Sequence, residues 1–124
     1  MTADQMKART KAYALRTIKA VQALPRNRVA DVLGSQLIRA ATSVGANYRA
    51  ACRAKSRADF IHKLRIVEEE GDESLYWMEL LAESGLMAAS RLSNLMREGG
   101  ELLSIVVASA KTARIADTRV NRQS

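Results

Sequence analysis

Turn-forming residues are scarce in this chain, and their scarcity limits the folds that it can adopt. The 124 residues include one proline and six glycines, too few to punctuate a protein built from many short strands. Alanine, leucine, arginine and glutamate are abundant, and all four favour helix. Hydrophobic residues make up 48% of the chain, enough for one packed core in a domain of this length. We therefore expect a single all-α domain.

Capping signals divide the chain into four helices. Thr2, Asn27 and Ser56 each precede a helical pattern and carry a side chain that can accept an N–H bond from the first turn. Pro25 and Gly85 provide two of the stops. Because the connections are short, successive helices must run antiparallel, which predicts an up-down-up-down four-helix bundle. The predicted helices cover about 3–24, 28–53, 57–84 and 88–114, followed by a flexible polar tail at 115–124.

The second predicted helix has the clearest amphipathic pattern, and this pattern runs through Gly45 without a change of phase. A phosphate-binding loop would need several glycines between a strand and a helix, whereas Gly45 stands alone. Gly34, Ala41 and Gly45 instead form a strip of small residues that lets another backbone approach closely. The predicted core face of this helix is Val29, Val32, Leu33, Leu37, Ala40, Ala41, Val44, Tyr48 and Ala51.

Few residues in the chain suit catalysis or metal binding. Cys52 and His62 lie on opposite sides of a predicted turn with no third orienting group, so a small buried thiol and a surface imidazole are expected. The acidic run at 68–73 lacks the Glu-x-x-His pairs that metal-binding bundles use, and we expect it to be solvated or to face a partner. We predict no catalytic residue, no cofactor and no metal, and hence no enzyme.

The net charge of +7 is unevenly distributed. Residues 57–85 carry −5, whereas 1–24, 25–56 and 86–124 carry +4, +5 and +3. This separation favours a polyanion-facing surface, a charge-paired subunit contact, or both. Phosphate binding by such a set would be independent of base sequence and sensitive to salt, and five aromatic residues are too few for a base-stacking platform. The candidate nucleic-acid-binding residues are Arg26, Arg28, Arg49, Arg53, Lys55 and Arg57.

Other interpretations of the basic residues stay open. They could simply be solvated, or the basic helix at 7–24 could lie on a membrane surface, although its apolar stripe is weak. No membrane span is expected, because the best apolar run, 102–110, is far shorter than the roughly 20 residues required. The single cysteine and the lack of a secretory-signal pattern predict a cytoplasmic location.

The densest stretches of the sequence resemble one known family. They are LPRNR at 24–28 and SVGANYRAACRAKSRADFIHKLRIVEEEGDESLYWMELL at 43–81. Both are similar to the four-helix-bundle family of 23S rRNA-intervening-sequence proteins, over roughly residues 10–115. The resemblance implies a bacterial antiparallel bundle without catalytic residues. The family is also similar to the accessory variability proteins of diversity-generating retroelements, which are homopentamers that bind nucleic acid and a reverse transcriptase.

The resemblance implies that this chain is a homo-oligomer, a pentamer by analogy, with RNA or DNA and a reverse transcriptase as candidate partners. We hypothesise that the acidic face of the third helix meets a basic face of the adjacent subunit and closes a ring by a heterologous contact. The alternative is a pure protein adaptor whose charges serve subunit assembly only. The residues expected at the oligomer interface are Asn47, Tyr48, Asp59, Glu69, Glu70, Glu73 and Trp77.

Overall fold

The computed structural model describes residues 1–123, and the side chains of residues 1–119. Each helix packs against its chain neighbours, and the last helix closes the ring by packing on the first. No strand occurs among the described residues. The architecture is the predicted antiparallel four-helix bundle. Its helices are α1 (Ala3–Gln22), α2 (Arg28–Cys52), α3 (Arg57–Glu83) and α4 (Ala89–Gln123).

The first three helices begin where their capping residues predict. Thr2 Oγ1 accepts the Gln5 N–H at 3.1 Å while Gln5 Oε1 accepts the Thr2 N–H at 2.8 Å, a complete capping box. Asn27 caps α2 through the N–H of Ala30 at 2.8 Å, and Ser56 caps α3 in the same way. These side chains satisfy N–H groups that have no partner within their helix, so the starts of the three helices follow from local sequence.

The fourth helix extends well beyond its predicted end. It continues from residue 114 to Gln123, through the segment that we predicted to be a flexible polar tail. Residues 115–123 contain neither glycine nor proline and include alanine and arginine, so nothing in the local sequence stops the helix. The final residue of the predicted tail, Ser124, lies outside the described residues.

The small-residue strip of α2 lies against α1, as predicted. A Cβ atom placed on Gly34 would stand 3.0 Å from Val21 Cγ1, and one placed on Gly45 would stand 3.2 Å from Thr10 Oγ1. Both distances are shorter than ordinary van der Waals contact. The two helix backbones therefore approach closely because the glycines have no side chain, and Gly45 serves packing within a continuous helix.

The predicted core face of α2 is wrong at its first turn. Val29 and Val32 are 58% and 54% exposed, whereas Ala30 and Gly34 are buried. Gly34 is covered by Val21 and by Leu24 of the α1–α2 connection. Hydrophobicity favours the larger side chains as core residues, but close packing of α1 requires the smaller ones at this level.

A buried hydrogen bond joins α1 to α3 at the centre of the bundle, and α4 packs against it. The Tyr13 hydroxyl of α1 lies 2.8 Å from Ser74 Oγ of α3, and Ser74 Oγ donates its single proton to the carbonyl of Gly71 at 2.6 Å. Tyr13 must therefore donate to Ser74. The α4 backbone approaches the same hydroxyl, because a Cβ atom on Gly99 would stand only 2.6 Å from it and 2.9 Å from Leu75 Cδ2.

We expect Gly99→Ala to lower the free energy of unfolding by about 1–3 kcal/mol, because the new methyl group overpacks a buried site. Gly100→Ala is the matched control: it lies in the same helix and a Cβ atom there meets nothing within 4 Å. The control should be stabilising by roughly 0.5–1 kcal/mol through the helix propensity of alanine. Urea unfolding of both variants tests the pair, and equal effects would contradict the close approach.

The buried phenol of Tyr13 makes stability depend on alkaline pH. Burial raises its pKa above the ordinary value of 10.0, opposed in part by the Ser74 hydrogen bond. The unfolded chain then ionises first, so the stabilisation is complete below pH 10 and is lost as pH rises toward the folded-state pKa.

We expect Tyr13→Phe to lose about 1 kcal/mol at neutral pH through the missing hydrogen bond. Its free energy of unfolding should then fall less steeply than that of the wild type above pH 10. Ser74→Ala removes the same hydrogen bond but leaves the phenol, so it should keep the steep fall. Parallel pH profiles for the wild type and Tyr13→Phe would count against this assignment.

Candidate nucleic-acid interface

The six candidate nucleic-acid-binding residues are all exposed, but the bundle places them at opposite ends. Arg26 and Arg28 lie where α1 connects to α2, whereas the other four lie around the α2–α3 turn. The 25 residues of α2 separate the two groups by about 37 Å. One small ligand could not contact the whole set, so only the group at the α2–α3 turn forms a local cluster.

The α2–α3 turn concentrates positive charge at one end of the bundle. Arg49 lies in the last turn of α2, Arg53 is its C-cap residue, and Arg57 is the first residue of α3. Asp59 is the acid of this region, and its carboxylate accepts the backbone N–H of Lys55 at 3.2 Å, so it serves as a local cap. Among the described side chains, none of the four cations forms an ion pair.

In a second concentration of positive charge, two cations of the basic helix noted in the sequence lie beside a cation of α4 that sequence reasoning did not single out. Arg16 and Lys19 of α1 and Arg91 of α4 line an open groove of about 370 Å³ between these helices, beside Asn94. Arg91 is distant in sequence from the other two, so only the packing of α4 on α1 brings it there. Farther along the same groove, Arg9 Nε donates to Glu98 Oε2 at 3.1 Å.

Two of the candidate interface acids of α3 already have a partner within the chain, whereas Glu69 is exposed and forms no ion pair among the described side chains. Arg39 of α2 bonds Glu70 at 3.1 Å and also bonds Glu73. The Trp77 indole N–H donates to Glu73 Oε1 at 3.3 Å, and its ring meets Tyr76 edge-on with centroids 5.2 Å apart. Sequence reasoning missed Arg39, because its role depends on the register between α2 and α3.

The remaining candidate interface residues do not join that cluster. The Asn47 amide donates to the Ser43 carbonyl within α2 at 2.8 Å. Tyr48 is half-buried and packs against the core. Burial and then the neighbouring Cys52 raise the pKa of Tyr48 to about 12. With Asp59 capping α3, these three residues lie toward the α2–α3 end and have local structural roles.

The outward faces of α1 and α3 carry opposite charge. On α3, Tyr76 is 52% exposed and stands among exposed acids. On α1, Leu15 is 57% exposed and has Lys11 and Lys19 one turn before and after it. The backbones of α1 and α3 are diagonal in the bundle and are not in contact, although the Tyr13 side chain reaches Ser74 through the core. The two outward faces therefore point away from each other. We call them the basic α1 stripe (Ala8, Lys11, Leu15 and Lys19) and the acidic α3 stripe (Glu69, Asp72, Tyr76, Glu79 and Glu83).

Within the described residues, no group of three or more histidine, cysteine or acidic side chains is arranged to hold a metal ion. His62 is on the helix surface, as predicted. The prediction of a buried thiol is wrong, because Cys52 is exposed: the last turn of α2 reaches the end of the bundle, where no helix covers it. None of the described helices combines the length and the apolarity that a membrane crossing requires.

The fold and its charge pattern define a four-helix bundle with a basic end and an acidic third helix. The sequence profile of the 23S rRNA-intervening sequence protein family matches residues 4–108. The chain therefore belongs to that family, and the resemblance stated from its residues is confirmed.

A solved structure supports this family assignment. It is the crystal structure of a protein of unknown function from the S23 ribosomal protein family of Bacteroides thetaiotaomicron VPI-5482. Its TM-score is 0.83 and its sequence identity is 31%, over 90% of this chain and 99% of that chain. No protein of curated function matches this chain.

Proposed function

We propose that this protein is a non-enzymatic, homo-oligomeric bundle that binds RNA or DNA through its basic surfaces. The observation that carries the proposal is the separation of charge on the folded chain. Among the described side chains, exposed cations that form no ion pair gather at the α2–α3 turn and along α1, while exposed acids gather on the opposite corner of the bundle. A polyanion can therefore reach the cations of the α2–α3 turn without crossing the acidic α3 stripe.

The type of binding follows from the residues that are available. Arginine and lysine side chains at helix ends suit phosphate oxygens, and the exposed faces offer no row of aromatic side chains for stacked bases. We infer binding to the phosphate backbone with little dependence on base sequence. The absence of a convergent metal-binding group among the described residues fits a binding role better than a catalytic one.

The oligomer in this proposal uses the two oppositely charged stripes. The basic α1 stripe of one copy would meet the acidic α3 stripe of the next, with Leu15 and Tyr76 as the apolar centres of the contact. Since the stripes are different surfaces that point in opposite directions, the contact is heterologous and leads to a ring or a chain of subunits. Glu70 and Glu73 would support it indirectly, because Arg39 already neutralises them.

A pure protein adaptor is the alternative function. Exposed Leu15 and Tyr76 within charged stripes favour it, since apolar side chains inside a charged rim are typical of protein interfaces. In this alternative, the cations contribute to subunit contacts and do not bind phosphate groups. A nucleic-acid-processing enzyme, such as a reverse transcriptase, is the protein partner compatible with either version.

Titration of labelled single-stranded RNA and DNA tests nucleic-acid binding. With about four phosphate contacts, affinity should fall about 50-fold between roughly 50 and 200 mM salt, and should differ little between base sequences. Fluorescence anisotropy measures both quantities. No binding at the lower salt concentration would remove the nucleic-acid function and leave the adaptor.

Charge-swap variants test the oligomer. Asp72→Lys with Glu79→Lys reverses the acidic α3 stripe, and Lys11→Glu with Lys19→Glu reverses the basic α1 stripe. We expect each double variant to be monomeric by light scattering, because like charges then face each other across the contact. Their mixture should associate, since each reversed stripe then has an opposite partner. A monomeric wild type at micromolar concentration and low salt, or an oligomer that survives either reversal, would sink this arrangement.

A further inference from the structure

An open groove of about 380 Å³ runs between the first half of α1 and the second half of α2. Gly45 lies at its floor, where α2 meets Thr10 of α1. Cationic side chains rise from both sides of this floor. The cations lining the groove are Lys7 and Lys11 on the α1 wall and Arg49 on the α2 wall.

The groove exists because its floor is built from small residues. Gly45 lets the two backbones approach, and Ala8, Ala14 and Ala46 add only methyl groups around it. The longer side chains at the edges therefore stand above a shallow channel. Lys7 and Lys11 are one helical turn apart, about 6 Å along α1, so they can contact successive points on an extended ligand.

The groove has cations but few other recognition groups. No acidic side chain lines it, and among the described side chains its three cations form no ion pair. The hydroxyl protons of Thr10 and Thr42 are used in hydrogen bonds to the carbonyls of Lys7, at 3.1 Å, and Ile38, at 2.7 Å. The groove therefore offers three positive charges but no free threonine hydroxyl that could distinguish one base from another. Such a surface suits a ligand whose negative charge repeats along its length.

The groove is continuous with the basic α2–α3 turn. Arg53 follows Arg49 by one helical turn, about 6 Å farther toward that end of the bundle, and Lys7 lies near the same end. The neighbouring α1 cation Arg9 is different, because Glu98 and Glu101 of α4 neutralise it. A polyanion bound at the α2–α3 turn would therefore continue along the α1–α2 groove, because the cations there are not neutralised.

We propose that this groove binds the sugar–phosphate backbone of one nucleic-acid strand, with Lys7 and Lys11 on one side of the strand and Arg49 on the other. The proposal rests on the proposed function and adds a location to it. It predicts phosphate contacts along the flank of the bundle, in addition to those at the α2–α3 turn.

The test is a salt series with a labelled single-stranded oligouridine of about 20 nucleotides and the full-length protein. The variant Lys7→Ala with Lys11→Ala should bind about tenfold more weakly at low salt. The slope of log affinity against log salt should shrink by about 1.4, which is the loss of two single-strand phosphate contacts. The matched control, Arg65→Ala with Arg97→Ala, removes the same charge from exposed positions of α3 and α4 outside the proposed binding surfaces and should stay within about twofold of the wild type.

A second variant separates the groove from assembly and from net charge. Ala46→Glu keeps every cation and leaves the basic α1 stripe intact, but it places a carboxylate at an exposed position in the groove. It should weaken binding at least as much as the double lysine variant, while light scattering shows an unchanged oligomer.

The possible results distinguish the two proposals. If the groove variants bind like the wild type, or if the control loses as much affinity as they do, the groove assignment is overturned and nucleic-acid binding stands. If the wild type does not bind oligouridine at low salt, both proposals are overturned. Weakening confined to the groove variants, with the smaller salt slope, supports the assignment.

Discussion

The close packing of α1 on the glycines of α2 determines much of the surrounding structure. Gly34 leaves space that the Val21 side chain occupies, and at Gly45 the backbone of Thr10 itself comes close to α2, so the first two helices pack tightly. This brings Tyr13 deep enough to reach Ser74 of α3. The same approach leaves a shallow floor on the outer side, which becomes the groove lined by cations. One packing constraint thus contributes both to the core and to the candidate site.

The centre of the bundle depends on a second close approach. Gly99 allows α4 to pass over the Tyr13 hydroxyl, and Ser74 satisfies that hydroxyl in an otherwise apolar layer. No buried side-chain nitrogen or oxygen among the described residues lacks a hydrogen-bond partner. A buried polar group costs little free energy when it is paired, so the Tyr13–Ser74 hydrogen bond can fix α1 relative to α3, while packing of Gly99 on the Tyr13 hydroxyl positions α4.

The distribution of acidic and basic side chains on the surface is not dictated by packing in the core. Of the acids of α3, Glu70 and Glu73 turn toward Arg39, whereas those of the acidic α3 stripe face outward. Among the described side chains, Arg9 is paired with α4 and Arg39 with α3, whereas Lys7, Lys11 and Arg49 form no ion pair. The unpaired groups are the ones with capacity for a partner, and they lie on different sides of the bundle.

Sequence alone was sufficient for the number, order and starts of the helices, because capping residues and helical periodicity are local signals carried by Thr2, Asn27 and Ser56. It also identified the packing role of Gly45. It could not show that Val29 and Val32 are exposed or that Arg39 neutralises two acids, since both depend on the register between helices. Tertiary structure also decided which cations share a groove: Lys7 and Arg49 are far apart along the chain, and only the close approach of α1 to α2 places them on opposite walls of one channel.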